Sequence, residues 1–91
     1  MITILHTEFD NAKSFYNKAT MEFLNDGKIN LYSYNQLVLS IKDNEVIDFP
    51  MEESKLSMTT LRHTREFLKQ NIDCNKSWTK KEIINLRNSL N

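Results

Sequence analysis

Ninety-one residues with twelve Lys and Arg against twelve Asp and Glu, and a pI of about 6.7, leave room for one core and exclude a catalytic domain joined to a regulatory one. A balanced charge is neither that of a histone-like coat nor that of a polyanionic nucleic-acid mimic. The 40% hydrophobic and 26% charged residues belong to a folding chain rather than a disordered one.

The first half reads as strands, with apolar residues at spacing two and turn signals every eight to ten residues. Ile2 and Ile4 alternate with Thr3. Between Phe15 and Phe23 the odd positions Phe15, Ala19, Met21 and Phe23 are expected to face a core, with Lys18, Thr20 and Glu22 in water. From Phe9 to Phe23 the set Phe9, Ala12, Tyr16, Ala19 and Phe23 also falls near helical spacing, with Thr7 as an N-cap; strand is the preferred of the two readings. Asn25-Asp26-Gly27 is a turn, because Asp-Gly accepts the positive φ of a tight hairpin. Ile29 and Leu31 continue inward, Tyr34-Asn35 bends the chain again, and Leu37, Leu39 and Ile41 form a third alternating set. Asp43-Asn44 turns into a returning strand from Val46 to Phe49, ended by Pro50, which offers no ladder donor.

After Glu52-Glu53, read as solvated loop, the period changes to 3.6. Met58, Leu61, Leu68 and Ile72 mark one apolar face widened by Phe67, a helix of three to four turns. Thr79-Lys80-Lys81-Glu82 is a capping box, Trp78 and Ile83 have the spacing of a hydrophobic staple, and Ile83, Leu86 and Leu90 form the buried stripe of a second helix. The expected fold is α+β in a single domain spanning 1–91: a small antiparallel sheet of four or five strands over 1–50, then two C-terminal helices over 57–91. Charge divides with it. Residues 1–56 carry five Lys and Arg against nine Asp and Glu, and residues 57–91 seven against three, about minus four and plus four.

The helical half supplies the first candidates. Arg62, Arg65 and Lys69 at i, i+3 and i+7 gather cations on one helix flank, able to meet a phosphate backbone or an acidic protein. The plainer reading is a solvated flank partly neutralised by Glu66, and it is preferred. Lys76, Lys80, Lys81 and Arg87 extend the patch if the two helices pack side by side. Tyr32 and Tyr34 alternate with Leu31 and Ser33, which puts both on one sheet face with Asn30 and Lys28, as a stacking platform for single-stranded nucleic acid or, preferably, as core aromatics.

No chemistry of catalysis is legible. His6, His63 and Cys74 are the whole complement of His and Cys, with no third group and no oxyanion-hole loop to complete a dyad. Separations of 57 and 11 residues match no metal-ligand spacing, so neither metal nor cofactor is expected. His63 reads as a core-edge residue beside Phe67 with one ring nitrogen hydrogen-bonded. A single cysteine makes no internal disulfide, the start of the chain lacks the order of a signal peptide, and Leu37-Val38-Leu39 is the longest apolar run; the expected setting is the cytoplasm of a bacterial host, with no membrane span. Eleven Asn and nine Lys against three Arg point to AT-rich coding sequence, as in a low-GC bacterium or its phages.

The stretches Ser14-Phe15-Tyr16-Asn17-Lys18-Ala19, Leu31-Tyr32-Ser33-Tyr34-Asn35 and Ser57-Met58-Thr59-Thr60-Leu61-Arg62-His63-Thr64-Arg65-Glu66-Phe67-Leu68-Lys69-Gln70 resemble a family of small uncharacterised proteins from phages and mobile elements of low-GC Gram-positive bacteria. The resemblance spans roughly residues 1–85, with Thr-Thr-x-Arg-His and the following Glu-Phe-Leu as its most specific part. Relatives usually carry Gly near Asn17 and Asn44 and a Tyr or Trp where this chain has Leu56. The resemblance implies a genomic setting and no reaction. Within the motif, Ser57, Thr59 and Thr60 offer hydroxyls to a helix start and Phe67-Leu68 buries the next turn, which leaves Arg62 and His63 unexplained by capping and packing.

These observations lead to a non-catalytic phage or mobile-element protein that binds a host protein or ribonucleoprotein complex, in the manner of an anti-CRISPR inhibitor acting by occlusion. Its expected contact residues are Arg62, His63, Arg65, Lys69, Tyr32, Tyr34 and Trp78. The alternative is a small regulatory module that holds nucleic acid on the basic face of the first helix. Either is expected as a monomer or, through a free sheet edge, a homodimer.

Overall fold

A computed structural model describes residues 1–11, 15 and 17–91. In it, β1 (Ile2–Ile4), β2 (Ala19–Phe23), β3 (Ile29–Ser33), β4 (Gln36–Lys42) and β5 (Glu45–Asp48) precede a single 3₁₀ turn (Glu53–Lys55), α1 (Met58–Asn71) and α2 (Lys80–Leu90). The strands form one antiparallel sheet in the order β1-β2-β3-β4-β5, so each strand pairs with its neighbour in sequence. The fold is α+β, as expected.

The turns explain why the sheet is a meander. Tyr34-Asn35 and Asp43-Asn44 are two-residue connections in which all four residues have positive φ (52°, 66°, 53° and 63°), the geometry that matches the twist of paired strands. Gly27 takes φ 89° in the third turn, where Asp26 Oδ1 accepts from the Lys28 N–H at 3.0 Å. Asn17 (φ 61°) and Asn44 adopt the left-handed conformation in turns near which relatives were expected to carry glycine; asparagine is the side chain that tolerates it best.

Ser33 Oγ lies 3.1 Å from Thr60 Oγ1 and 2.8 Å from His63 Nδ1, which fixes the sheet face that α1 covers. Partners across a ladder share a face, so Ala19, Met21, Leu31, Leu39 and Ile41 lie on that side, and Thr20, Glu22, Asn30, Tyr32 and Ser40 on the other. One core gathers Leu5, Leu31, Leu39 and Phe49 from the sheet half, Phe67 and Leu68 from α1 and Ile83 from α2.

Several expectations need correction, among them the burial of Leu90, which is 38% exposed at the end of α2. The second strand starts at Ala19 rather than Phe15; Phe15 is buried outside any strand, and residues 12–14 and 16, which carry part of the strand-or-helix alternative and of the 14–19 motif, lie outside the described residues. Phe23 is 38% exposed, because it stands at the end of its strand and not under a helix. In β4, Val38 and Ser40 are buried as fully as Leu39 and Ile41, so alternation does not mark one wet face there. Met58 is 84% exposed: Ser57 caps α1 by accepting from the Thr60 N–H, and the buried face that follows is centred on Thr60, Thr64 and Phe67, opposite Met58.

Candidate interaction site on the first helix

The helix motif that resisted a local explanation is a clasp. Glu66 is 1% exposed, and its two carboxylate oxygens accept from the backbone N–H groups of Glu8, Phe9 and Asp10 at 2.8–3.2 Å and from Gln70 Nε2 at 2.7 Å. Three successive amides around one carboxylate form an anion-binding concavity filled from within the chain. One turn earlier, Arg62 pairs side-on with the Asp10 carboxylate through Nε (3.0 Å) and Nη2. Gln70 Nε2 also donates to the His6 carbonyl at 2.7 Å. The chain that leaves β1 is thus tied to α1 by side chains one helical turn apart.

His63 faces the sheet. It is fully buried, its ring lies 4.5 Å from that of Phe15 and 5.8 Å from that of Tyr34, and its Nε2 has no hydrogen-bond partner among the described residues. Burial pushes its pKa below the usual imidazole value, and the nearby Arg62 guanidinium pushes the same way, against a smaller opposing effect of Asp10. The expectation that His63 packs at the core with one nitrogen bonded describes this geometry; as a contact residue it is out of a partner's reach.

Met58, Arg62, Arg65 and Lys69 fall at i, i+4, i+7 and i+11 and form one stripe on the outer side of α1. Each cation already has an internal neighbour. Besides the Asp10–Arg62 pair, Arg65 Nε donates to the Trp78 carbonyl at 2.9 Å, and Lys69 Nζ stands 5.8 Å from the centre of the Phe9 ring. Phe9, at 46% exposure, Asp10, Arg65, Glu66 and Lys69 line a small pocket at the middle of the stripe. The expected role of Glu66 as a neutraliser of the flank is corrected: Asp10 does that, while Glu66 holds backbone.

The remaining residues separate. Tyr34 is 49% exposed and turns its ring toward His63 on the α1 side, because its own positive φ lifts it out of strand alternation. Tyr32 lies on the opposite face, where its hydroxyl donates to Glu22 Oε1 at 2.8 Å. Asn30 Nδ2 donates to the same oxygen at 3.2 Å, Ser40 Oγ donates to Asn30 Oδ1 at 2.6 Å, and the two bonds to Glu22 hold its carboxyl below the usual range. The two tyrosines therefore make no common stacking platform. Trp78 is buried at 4% exposure, with Nε1 donating to the Asp73 carbonyl and Lys76 Nζ 4.5 Å from its ring centre; it packs into the core ahead of the observed capping box of Thr79 and Glu82. Lys76 also reaches Glu82 at 3.8 Å, and Arg87 Nε donates to the Met51 carbonyl, so of the expected basic extension Lys80 and Lys81 stand exposed without an ion pair among the described residues.

Asp10, Phe9, Ser33 and Thr60 were missed as parts of this site. Glu66 gave a signal, a carboxylate within the buried period of α1, but its acceptor role needs partners 56 to 58 residues away. Among the described residues no three His, Cys, Asp or Glu side chains are grouped to hold a metal ion, and no helix is long and apolar enough to cross a membrane.

Comparison with known proteins adds one result. A family model matches residues 3–85. The chain belongs to that family, which is described as a family of unknown function (DUF8033). No curated protein and no solved structure matches.

Proposed function

We propose that this DUF8033 chain is a non-catalytic interaction protein that docks the outer stripe of α1 on a host protein or ribonucleoprotein complex. The observation that carries the proposal is the Asp10–Arg62 pair, with exposed Met58 one turn earlier on the same stripe, exposed Phe9 next to Asp10 in the chain, and exposed Tyr34 against His63. Met, Arg and aromatic side chains are the residues that protein interfaces concentrate, and an arginine held in place by Asp10 loses less freedom on docking. A phosphate-binding row needs cations free to neutralise phosphates. Here all three cations of the row have internal neighbours, which weighs against the nucleic-acid alternative.

The resemblance to phage and mobile-element proteins directs the search for the partner. The finer proposal is an inhibitor of a nucleic-acid-processing defence complex, of the anti-CRISPR kind, that works by covering a surface the complex needs. Affinity capture of the tagged 91-residue chain from a bacterial lysate, with and without nuclease, tests both levels. A defined complex that survives nuclease, and is lost for Met58→Asp and Phe9→Asp, supports docking by the stripe; inhibition of that complex's nuclease activity supports the finer reading. Recovery of nucleic acid alone, with binding that falls steeply with salt, replaces this proposal with the nucleic-acid module.

A further inference from the structure

The two edges of the sheet are unlike. At the β5 edge Glu45 and Asp48 are exposed and the pairing with β4 shifts register between Ser40 and Ile41, both devices that discourage further strand addition. At the β1 edge there is no such device. The segment Met1-Ile2-Thr3-Ile4-Leu5 contains no charged side chain, no proline and no bulge, and Met1 and Ile2 are 84% and 65% exposed.

The hydrogen-bond pattern says which groups are free. Met1 and Phe23 exchange bonds, with the Phe23 N–H donating to the Met1 carbonyl at 2.8 Å, and the Leu5 N–H donates to the Ala19 carbonyl at 2.9 Å. In an antiparallel ladder bonded and non-bonded pairs alternate, so Met1, Thr3 and Leu5 point their backbone groups at β2, while Ile2 and Ile4, opposite Glu22 and Thr20, point theirs away from the sheet.

We propose that a second copy of this chain pairs with β1 about a two-fold axis through Thr3, continuing the sheet across the dimer. In that register Ile2 of each copy faces Ile4 of the other and the two exchange both N–H···O bonds, four bonds in all by the ladder rule. The interface is self-complementary, as two-fold symmetry demands. Its electrostatics select the occupant: a strand without charged side chains, whose N-terminal ammonium at Met1 falls opposite Leu5 of the other copy, meets that copy without setting like charges opposite, whereas two β5 edges would oppose Glu45 and Asp48 to acidic residues. Ile2 and Ile4 also place four isoleucines side by side on the face away from α1. The pairing uses no residue of the α1 stripe, so this inference is independent of the proposed function.

The test is sedimentation of the 91-residue chain over concentrations from about 5 to about 500 µM, a range suited to a short interface. The expected result is a rise from the 10.8 kDa monomer to twice that mass. Ile2→Pro removes an outward N–H and no bond of the β1–β2 ladder, and should weaken the dimer at least tenfold, as should Ile2→Lys; Glu45→Lys at the other edge should not. In concentrated samples the Ile2 and Ile4 amides should exchange more slowly than in dilute ones, a readout that serves even if the proline variant folds poorly. A monomer throughout, a dimer indifferent to both Ile2 variants, or exchange at Ile2 and Ile4 independent of concentration overturns the proposal.

Discussion

Ser33 Oγ and His63 Nδ1 are 2.8 Å apart in the interior, so a sheet hydroxyl orients an imidazole whose second nitrogen has no partner among the described residues. The unfolded chain binds a proton at this histidine near pH 6.5, and the folded chain, with the pKa lowered by burial, does so only at lower pH. Between those values the unfolded state holds more protons, so stability falls as pH falls, by at most about 1.4 kcal/mol per pH unit. Thermal unfolding followed from pH 8 to pH 5 should show the midpoint begin to drop near pH 6.5, and His63→Phe should abolish that drop. An unchanged profile in the variant would assign the acid sensitivity elsewhere.

Replacing Glu66 strands donors as well as removing an acceptor. Glu66→Ala leaves the amides of Glu8, Phe9 and Asp10 without their acceptor, at a cost of about 2–4 kcal/mol once partial access of water is allowed. Glu66→Gln keeps one oxygen but turns an amino group toward N–H donors, and should fall between. Urea denaturation measures the loss, and amide exchange should locate it at residues 8–10 rather than along β3.

Arg62 separates stability from binding. Its side chain is 48% exposed, so Arg62→Ala should leave the urea midpoint nearly unchanged. In the proposed interface the same substitution should weaken partner capture at least tenfold. Asp10→Asn should weaken it less, since the guanidinium stays and only its orientation is loosened. Equal capture by wild type and Arg62→Ala would remove the stripe from the interface.

Tyr34 tests whether a strained backbone has a use. A tyrosine at φ 52° occupies a conformation that asparagine accepts more readily, but its ring covers His63. Tyr34→Asn should exchange one effect for the other and change stability by less than about 1 kcal/mol, while partner capture falls. A large loss of stability would make the ring contact structural.

At α2, Thr79→Ala should cost about 1 kcal/mol by freeing the Glu82 N–H that its hydroxyl satisfies. Helical signal in the far ultraviolet, read against urea, should fall at lower denaturant.

What was legible in the chain was local. Asp-Gly, Tyr34-Asn35 and Asp43-Asn44 bend where the residue types imply, and the box from Thr79 to Glu82 closes as spelled, because those bonds span three residues or fewer. Arg62 and His63 resisted explanation for the opposite reason: their partners Asp10 and Ser33 are 52 and 30 residues away. Met58 was misassigned because a period of 3.6 defines a stripe without fixing its centre, and the buried face runs through Thr60, Thr64 and Phe67 instead. The tyrosine pair was misassigned because strand alternation stops at Ser33, one residue before the positive φ of Tyr34.

The order of closure in the meander has a kinetic consequence. Three of the four strand pairings join neighbours across short turns, so the sheet assembles from contacts near in sequence, which favours fast folding. The Glu66 clasp must wait for α1 to come back to residues 8–10, a closure of more than fifty residues. A bond made after the rate-limiting step resists unfolding without hastening folding. Kinetically, then, the clasp is a lock: Glu66→Ala should steepen the escape from the native state and leave the refolding rate almost untouched.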